Sequence, residues 1–175
     1  MTAAHRQRFE ELYQRHRAEV WAVGYALCLN ADHASDITQE AFLRLWRQRG
    51  HGRDVGSPRL WLQQVARNLA KDLLKKSFHR NGTQPPQAMG DVRARDELPL
   101  EQLERAETFA QLRGALAKLP AVDREILTFR YGLGYSGAQV AKALALSVGA
   151  VHMRACRARQ RLEESLVADG VHGAP

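Results

Sequence analysis

Three arginines near the carboxyl end of the chain recur at the spacing of a helix. Arg154, Arg157 and Arg161 are three and four residues apart, so on a helix they share one face. An apolar stripe with the same spacing is predicted on another face of that helix, formed by Val148, Val151, Ala155, Ala158 and Leu162. A row of guanidinium groups can bind the phosphates of a nucleic acid and the guanine edges in its major groove. A merely solvated basic face would show the same pattern, so the spacing leaves both interpretations open.

A short helix and a tight turn are predicted directly before this basic helix. Ser136 and Gln139 have the spacing of a capping box, which begins a helix. The turn falls at Ala145-Leu146, and Ser147 is placed to accept a hydrogen bond from a free N–H group of the next helix. A short helix, a tight turn and a longer basic helix form a helix-turn-helix, whose second helix enters the major groove of duplex DNA. A plain helical hairpin is the alternative.

A second group of side chains that could bind nucleic acid lies near the middle of the chain. Ser57-Pro58 begins a predicted helix that runs to Ser77. Its inward face is expected to carry Leu62, Val65, Leu69 and Leu73. Its other face is expected to carry Arg67, Asn68, Lys71 and Lys75, and Trp61 lies at its start. Cationic groups beside an aromatic ring suit single-stranded nucleic acid, although a solvated face with a core tryptophan would look the same.

A polar, acidic patch is predicted near the start of an earlier helix. Periodic apolar residues indicate helices at 5–28 and from His33 to Gln48, with Asp32 as the N-cap of the second. The patch consists of Asp36, Gln39 and Glu40. Carboxylates near a helix start usually complement the helix dipole, and these residues alone favour that interpretation.

The apolar periodicity predicts an all-α fold with two small helical domains joined by a flexible linker. Residues 78–99 contain Pro-Pro and Asn-Gly and have little apolar periodicity, so they are the predicted linker. It separates a domain at 1–77 from a domain at 100–169 that contains the helix-turn-helix. Two further helices are predicted in the second domain, from Leu100 to Lys118 with Phe109 facing inward, and from Pro120 to Tyr131.

Composition and charge favour a binding protein over an enzyme. The 175 residues carry a formal net charge of +7, and an acidic segment at 77–108 separates two basic parts, which suits a polyanion held at two points. Cys28 and Cys156 are far apart and are expected to be buried, and no metal-ligand spacing, nucleophile–base pair or phosphate-binding loop is visible. We therefore expect neither an enzyme nor a cofactor. With no secretory signal and no apolar run of about 18 residues, the chain is expected in the cytoplasm without a membrane span.

Three segments together resemble a bacterial RNA polymerase sigma factor of the extracytoplasmic-function (ECF) type. DITQEAFLRLW at Asp36–Trp46 and LWLQQVARNLAKDLLKK at Leu60–Lys76 look like region 2 of that family. Leu119–Leu162, which includes the helix-turn-helix, looks like region 4. Their order and spacing along nearly the whole chain make the resemblance specific.

The resemblance implies a partner for each polar surface. Core RNA polymerase would be bound through its β′ coiled coil and its β subunit, with Asp36, Gln39 and Glu40 as the region 2 contact. The melted −10 promoter strand would be captured by Trp61, Arg67, Asn68, Lys71 and Lys75, with Asn68 reading a flipped base. The −35 duplex would be read by Ser147, His152, Met153, Arg154, Arg157 and Arg161. An anti-sigma factor is a further candidate partner.

The chain departs from the family pattern at several positions. Its −10 loop, GHGRDVGS, has no aromatic residue, and His152 and Met153 stand where the family often has a basic residue followed by serine. Ala145 stands where the family commonly has glycine; a left-handed residue there would cost alanine roughly 1 kcal/mol, so we expect a slightly different turn. Two other classes stay open at this point: a self-sufficient helix-turn-helix regulator that binds duplex DNA as a dimer, and a helical module that binds only proteins.

Overall fold

The computed structural model describes residues 3–50, 55–81 and 100–168, which form seven α-helices and no β-strand. The helices are α1 (Ala3–Cys28), α2 (Ala31–Gly50), α3 (Pro58–Asn81), α4 (Leu100–Ala117), α5 (Ala121–Leu127), α6 (Gly137–Leu144) and α7 (Val148–Ala168). The chain divides into two compact units, Met1–Gly90 and Asp91–Pro175. The predicted all-α fold is confirmed.

The first unit is a bundle in which α1, α2 and α3 each pack against the other two. Val20 and Val23 of α1, Leu45 of α2 and Leu62 of α3 are fully buried in its core. The helices approach closely where small residues meet. A Cβ added to Gly24 of α1 would lie 3.3 Å from a methyl carbon of Ile37 on α2.

The cap of α2, the start of α2 and the end of α3 differ from the predictions. The cap of α2 is Asn30, whose side-chain oxygen accepts a 2.9 Å hydrogen bond from the N–H of His33, while Asp32 lies inside the first turn. α1 ends at Cys28 as predicted, and Leu29 after it adopts a left-handed conformation (φ 50°), so that α2 begins at Ala31 rather than at the predicted His33. α3 continues to Asn81, past the predicted start of the linker, and the rest of that linker lies outside the described residues.

The buried face of α3 is centred on Leu62, as predicted, and on two alanines that were not predicted. Leu62, Ala66 and Ala70 are fully buried, whereas Val65, Leu69 and Leu73 are half-buried at the edges of that face. Because α3 contacts both α1 and α2, alanines at the centre allow the three helices to approach, and larger side chains fill the flanks.

A polar cluster ties α1 to the first turns of α3. Glu19 accepts a 2.7 Å hydrogen bond from Arg59 and a 3.2 Å bond from Gln63. His16 lies 3.7 Å from the same carboxylate, and burial lowers the pKa of His16 below its ordinary value of 6.5. The imidazole is therefore neutral at pH 7, and Glu19 has Arg59 as its charged partner.

The second unit contains the helix-turn-helix in the predicted form. The Ser136 hydroxyl accepts from the N–H of Gln139, and the Gln139 side chain accepts from the N–H of Ser136, so the capping box is confirmed. Ser147 caps α7 by accepting from the N–H of Ala150 at 3.1 Å. α5 is shorter than predicted and is followed by a π-helical turn at Thr128–Gly132.

Three residues of the second unit are more exposed than predicted. Phe109 of α4 is 41% exposed and Val148, the first residue of α7, is 54% exposed. Cys156 is exposed because it follows the buried Ala155 and so lies on the outer side of α7, whereas Cys28 is buried as predicted.

Ala145 adopts the left-handed conformation (φ 55°, ψ 45°) that we expected alanine to avoid. Its N–H donates to the carbonyl oxygen of Ala141, which closes α6, so the turn keeps its geometry at the expense of local strain. Ala145→Gly is therefore expected to raise the free energy of unfolding of this unit by about 0.5–1 kcal/mol, after allowance for the greater freedom of unfolded glycine. Urea unfolding followed by circular dichroism measures this. Ala138→Gly, at an exposed site within α6, should instead lower the free energy of unfolding. If both variants are less stable than the unaltered chain, the backbone of Ala145 is not strained.

Candidate nucleic-acid interface

The outer side of α7 carries the side chains predicted to bind duplex DNA. Val151, Ala155 and Ala158 are buried and fix the rotation of the helix. Ser147, His152, Met153, Arg154, Arg157 and Arg161 are all exposed. The helix-turn-helix therefore presents these six residues to solvent, with Met153 near the centre of the outer side and the arginines toward one flank.

Arg154 differs from the other arginines because it is held by an acidic partner. Its guanidinium donates a 2.8 Å hydrogen bond to the carboxylate of Asp123, in the first turn of α5. The Arg154 side chain is 45% exposed, whereas that of Asp123 is 7% exposed. The pair joins α7 to α5, so part of the donor capacity predicted for DNA is used within the protein.

The remaining arginines of α7 are open to a ligand. Among the described residues, Arg157, Arg159 and Arg161 take part in no hydrogen bond or ion pair, and all three are exposed. Our sequence prediction missed Arg159, which lies on the flank of α7 opposite Arg154 and Arg161; a count of every basic residue on this helix would have included it.

The exposed face of α3 brings together most of the residues predicted for single-stranded DNA. Asn68, Lys71 and Lys75 are exposed in a row, and Trp61 is half-buried at the start of the helix. Leu60 and Gln64, which were not predicted, extend the row toward the amino terminus. Their signal is the spacing of three and four residues that they share with the rest.

The prediction that Arg67 lies on the exposed face is wrong, since only 7% of this residue is exposed. It follows Ala66 on the side of α3 that packs into the bundle, next to the buried Gln63. Its guanidinium donates to the side-chain oxygen of Gln64 at 3.4 Å. Gln64 in turn donates from its amide nitrogen to the side-chain oxygen of Asn68 at 3.0 Å.

The polar patch of α2 is also accessible. Asp36 and Gln39 are exposed, and Glu40 is half-buried and accepts a 2.8 Å bond from Arg44. Leu43, which the sequence prediction missed, is 49% exposed and follows on the same face at helical spacing. An exposed leucine beside carboxylate and amide groups suits a protein partner better than a nucleic acid.

The described part of the chain has neither a candidate metal site nor a candidate membrane span. No group of three or more His, Cys, Asp or Glu residues there could hold a metal ion. No described helix is long and apolar enough to cross a membrane.

Comparison with known proteins relates each unit to one protein family. The family model Sigma-70 region 2 matches residues 12–78, and the model Sigma-70, region 4 matches residues 109–162. The probable RNA polymerase sigma factor RfaY of Xanthomonas campestris pv. campestris is 34% identical over 150 residues, which are 85% of this chain and 38% of that protein. The ECF RNA polymerase sigma factor SigL of Mycobacterium tuberculosis is 30% identical over 161 residues, which are 91% of this chain and 89% of that protein.

A solved structure shares the fold. The sigma factor RpoE of Bartonella quintana, crystallised with the anti-sigma factor NepR, matches with a TM-score of 0.69 and 22% identity, over 93% of this chain and 99% of that one.

Proposed function

Because the chain belongs to the extracytoplasmic-function sigma factors of RNA polymerase, we propose that its two units bind promoter DNA in two different forms. As a sigma factor, the protein directs promoter recognition and the initiation of transcription. The chemistry of RNA synthesis belongs to the polymerase, so the chain itself acts by binding. A stand-alone dimeric regulator is not favoured, since such a protein has no use for a region 2 unit.

The first unit is proposed to capture the melted −10 strand on the exposed face of α3. Lys71 and Lys75 supply positive charge for the phosphates, and Asn68 supplies an amide that can read a base edge. Trp61, half-buried at the start of the helix, offers an aromatic face for stacking. Arg67 has no direct contact in this proposal, because it is buried.

The second unit is proposed to read the −35 element as a duplex. An exposed helix held by a capped turn fits a major groove, and Arg157 lies closest to the middle of its outer side among the arginines. Ser147, at the amino end of α7, can also bind a phosphate. Arg159 and Arg161 lie on either flank, where the phosphates on the two sides of the groove would lie.

Core RNA polymerase is proposed to bind the patch on α2, through the β′ coiled coil, and the complex acts in the cytoplasm where the polymerase works. The observation that carries this proposal is the combination of charged, amide and apolar groups in Asp36, Gln39 and Leu43, all exposed on one helical face. By analogy with RpoE and its partner NepR, we extend to this chain a regulatory partner of the anti-sigma class.

Charge reversal in the α2 patch tests whether this surface binds core RNA polymerase. Asp36 is chosen because, within the described residues, it makes no bond whose loss would disturb the helix, whereas Glu40 pairs with Arg44. Asp36→Lys is expected to weaken binding to core polymerase by about tenfold or more, since mismatched charges in an interface cost several kcal/mol. Gel filtration and competition binding with the full chain measure the effect.

A matched control separates the contact from net charge. Glu11→Lys makes the same change in charge on the exposed side of α1 and should bind core polymerase as the unaltered chain does. Equal affinity in both variants would mean that the α2 patch only complements its own helix dipole. Failure of the unaltered chain to bind core polymerase would contradict the proposed function as a whole.

A further inference from the structure

Two hydrogen bonds link the side chains of Arg67, Gln64 and Asn68 on α3, and they fix which end of the Asn68 amide faces solvent. Arg67 donates to Gln64 across 3.4 Å, and Gln64 donates to Asn68 across 3.0 Å. These contacts join residues three and four positions apart, so they form on the helix itself. Arg67, at one end of these hydrogen bonds, is buried, whereas Gln64 and Asn68 are exposed.

Hydrogen-bond chemistry decides the orientation of both amides. A guanidinium has donors and no acceptor, so the side-chain oxygen of Gln64, and not its NH₂ group, must face Arg67. The NH₂ group of Gln64 is then turned toward Asn68, where it needs an acceptor. Asn68 therefore directs its oxygen to Gln64 and leaves its own NH₂ group open to solvent.

We propose that Arg67 and Gln64 are positioning residues that make Asn68 present N–H donors, and not its carbonyl oxygen, to the promoter base that it reads. This inference rests on the proposed role of α3 in binding the melted −10 strand. The recognised atom on the base is then an acceptor, an exocyclic oxygen or an unprotonated ring nitrogen. Arg67 then affects base specificity without touching the DNA. This role explains why an arginine is buried next to Asn68.

The test changes Gln64, which is exposed and links Arg67 to Asn68. In Gln64→Glu the carboxylate still accepts from Arg67 but has no donor for Asn68. Two acceptors would face each other, so the Asn68 amide turns over and presents its oxygen outward. Asn68→Asp also presents only acceptors, so both variants should change the preferred base at the same promoter position and in the same direction, by about tenfold.

The experiment uses holoenzyme assembled from the full chain and core polymerase. Promoters with a randomised −10 element are transcribed, and the transcripts are sequenced to give the base preference at each position. Lys75→Gln removes one positive charge from the same face of α3, matching the charge change of Gln64→Glu. It should lower transcription from all sequences alike and leave every preference unchanged.

The outcomes separate the inference from the function on which it rests. If Gln64→Glu behaves like Lys75→Gln while Asn68→Asp changes one position, Asn68 reads the base but Gln64 does not orient it, and the inference is overturned. If Asn68→Asp changes no preference, Asn68 is not the reading residue and the inference is likewise overturned. If the unaltered holoenzyme shows no selectivity in the −10 element, the proposed role of α3 itself is wrong.

Discussion

Arg157→Ala is expected to reduce binding of the −35 duplex by about 5- to 150-fold, the largest loss from any single side chain of α7. Arg157 is exposed, lies on the outer side of α7 and has no partner among the described residues that would compete with DNA. A two-pronged arginine–guanine contact is worth about 1–3 kcal/mol, which corresponds to that range. The measurement is competition by duplexes selected from a randomised −35 pool, with holoenzyme at fixed salt.

The pattern of loss distinguishes a base contact from a phosphate contact. If Arg157 reads a guanine, its removal relaxes the preference at one base pair and leaves the rest intact. If it binds a phosphate, affinity falls equally for every sequence and the salt dependence decreases by about one unit. Arg159→Ala serves as the comparison, because its position on the flank favours a phosphate. An Arg157→Ala variant that binds every duplex as before would remove α7 from the proposed interface.

Features governed by short-range rules were predictable from the sequence. The capping box of Ser136 and Gln139 and the cap at Ser147 depend on residues three positions apart, and both form as predicted. The turn at Ala145 was predicted in place but not in conformation, because the hydrogen bond that closes α6 outweighs a strain of about 1 kcal/mol.

Features governed by packing were not predictable in the same way. The burial of Arg67 depends on the side of α3 that meets α1 and α2, and the alanines that mark this side give a weaker signal than the leucines that flank it. The choice of Asn30 over Asp32 as a cap depends on the left-handed Leu29 before it. Periodicity therefore identifies each of the seven helices, but it places their ends only approximately and leaves their rotation uncertain by about one residue.

The ion pair of Arg154 and Asp123 belongs to the same class, because the two residues are 31 positions apart and share no local pattern. This ion pair changes the role expected of Arg154. An arginine that was predicted to read DNA also connects α7 to α5. Loss of DNA binding in an Arg154 variant would therefore have two possible origins, and stability must be measured first.

Arg154→Ala is expected to lower the free energy of unfolding of the second unit by about 1–3 kcal/mol. The change leaves the carboxylate of Asp123 almost fully buried without its charged partner, and an unsatisfied buried charge is costly. Exposure of nearly half of the arginine keeps the loss below that of a fully buried pair. Hydrogen exchange of α5 and α7, measured by mass spectrometry on the full chain, localises the destabilisation to these helices.

A second substitution should recover part of that loss. In the double variant Asp123→Asn with Arg154→Ala the buried group is a neutral amide, which is cheaper to leave unpaired than a carboxylate. We therefore expect the double variant to be more stable than Arg154→Ala alone, so that the two changes are not additive. Arg157 lies on the same helix and makes no ion pair among the described residues. Arg157→Ala should therefore change the free energy of unfolding by less than about 0.5 kcal/mol. If Arg154→Ala lowers the free energy of unfolding no more than Arg157→Ala does, the ion pair does not stabilise the packing of α7 on α5. Arg154 would then be available for DNA binding alone.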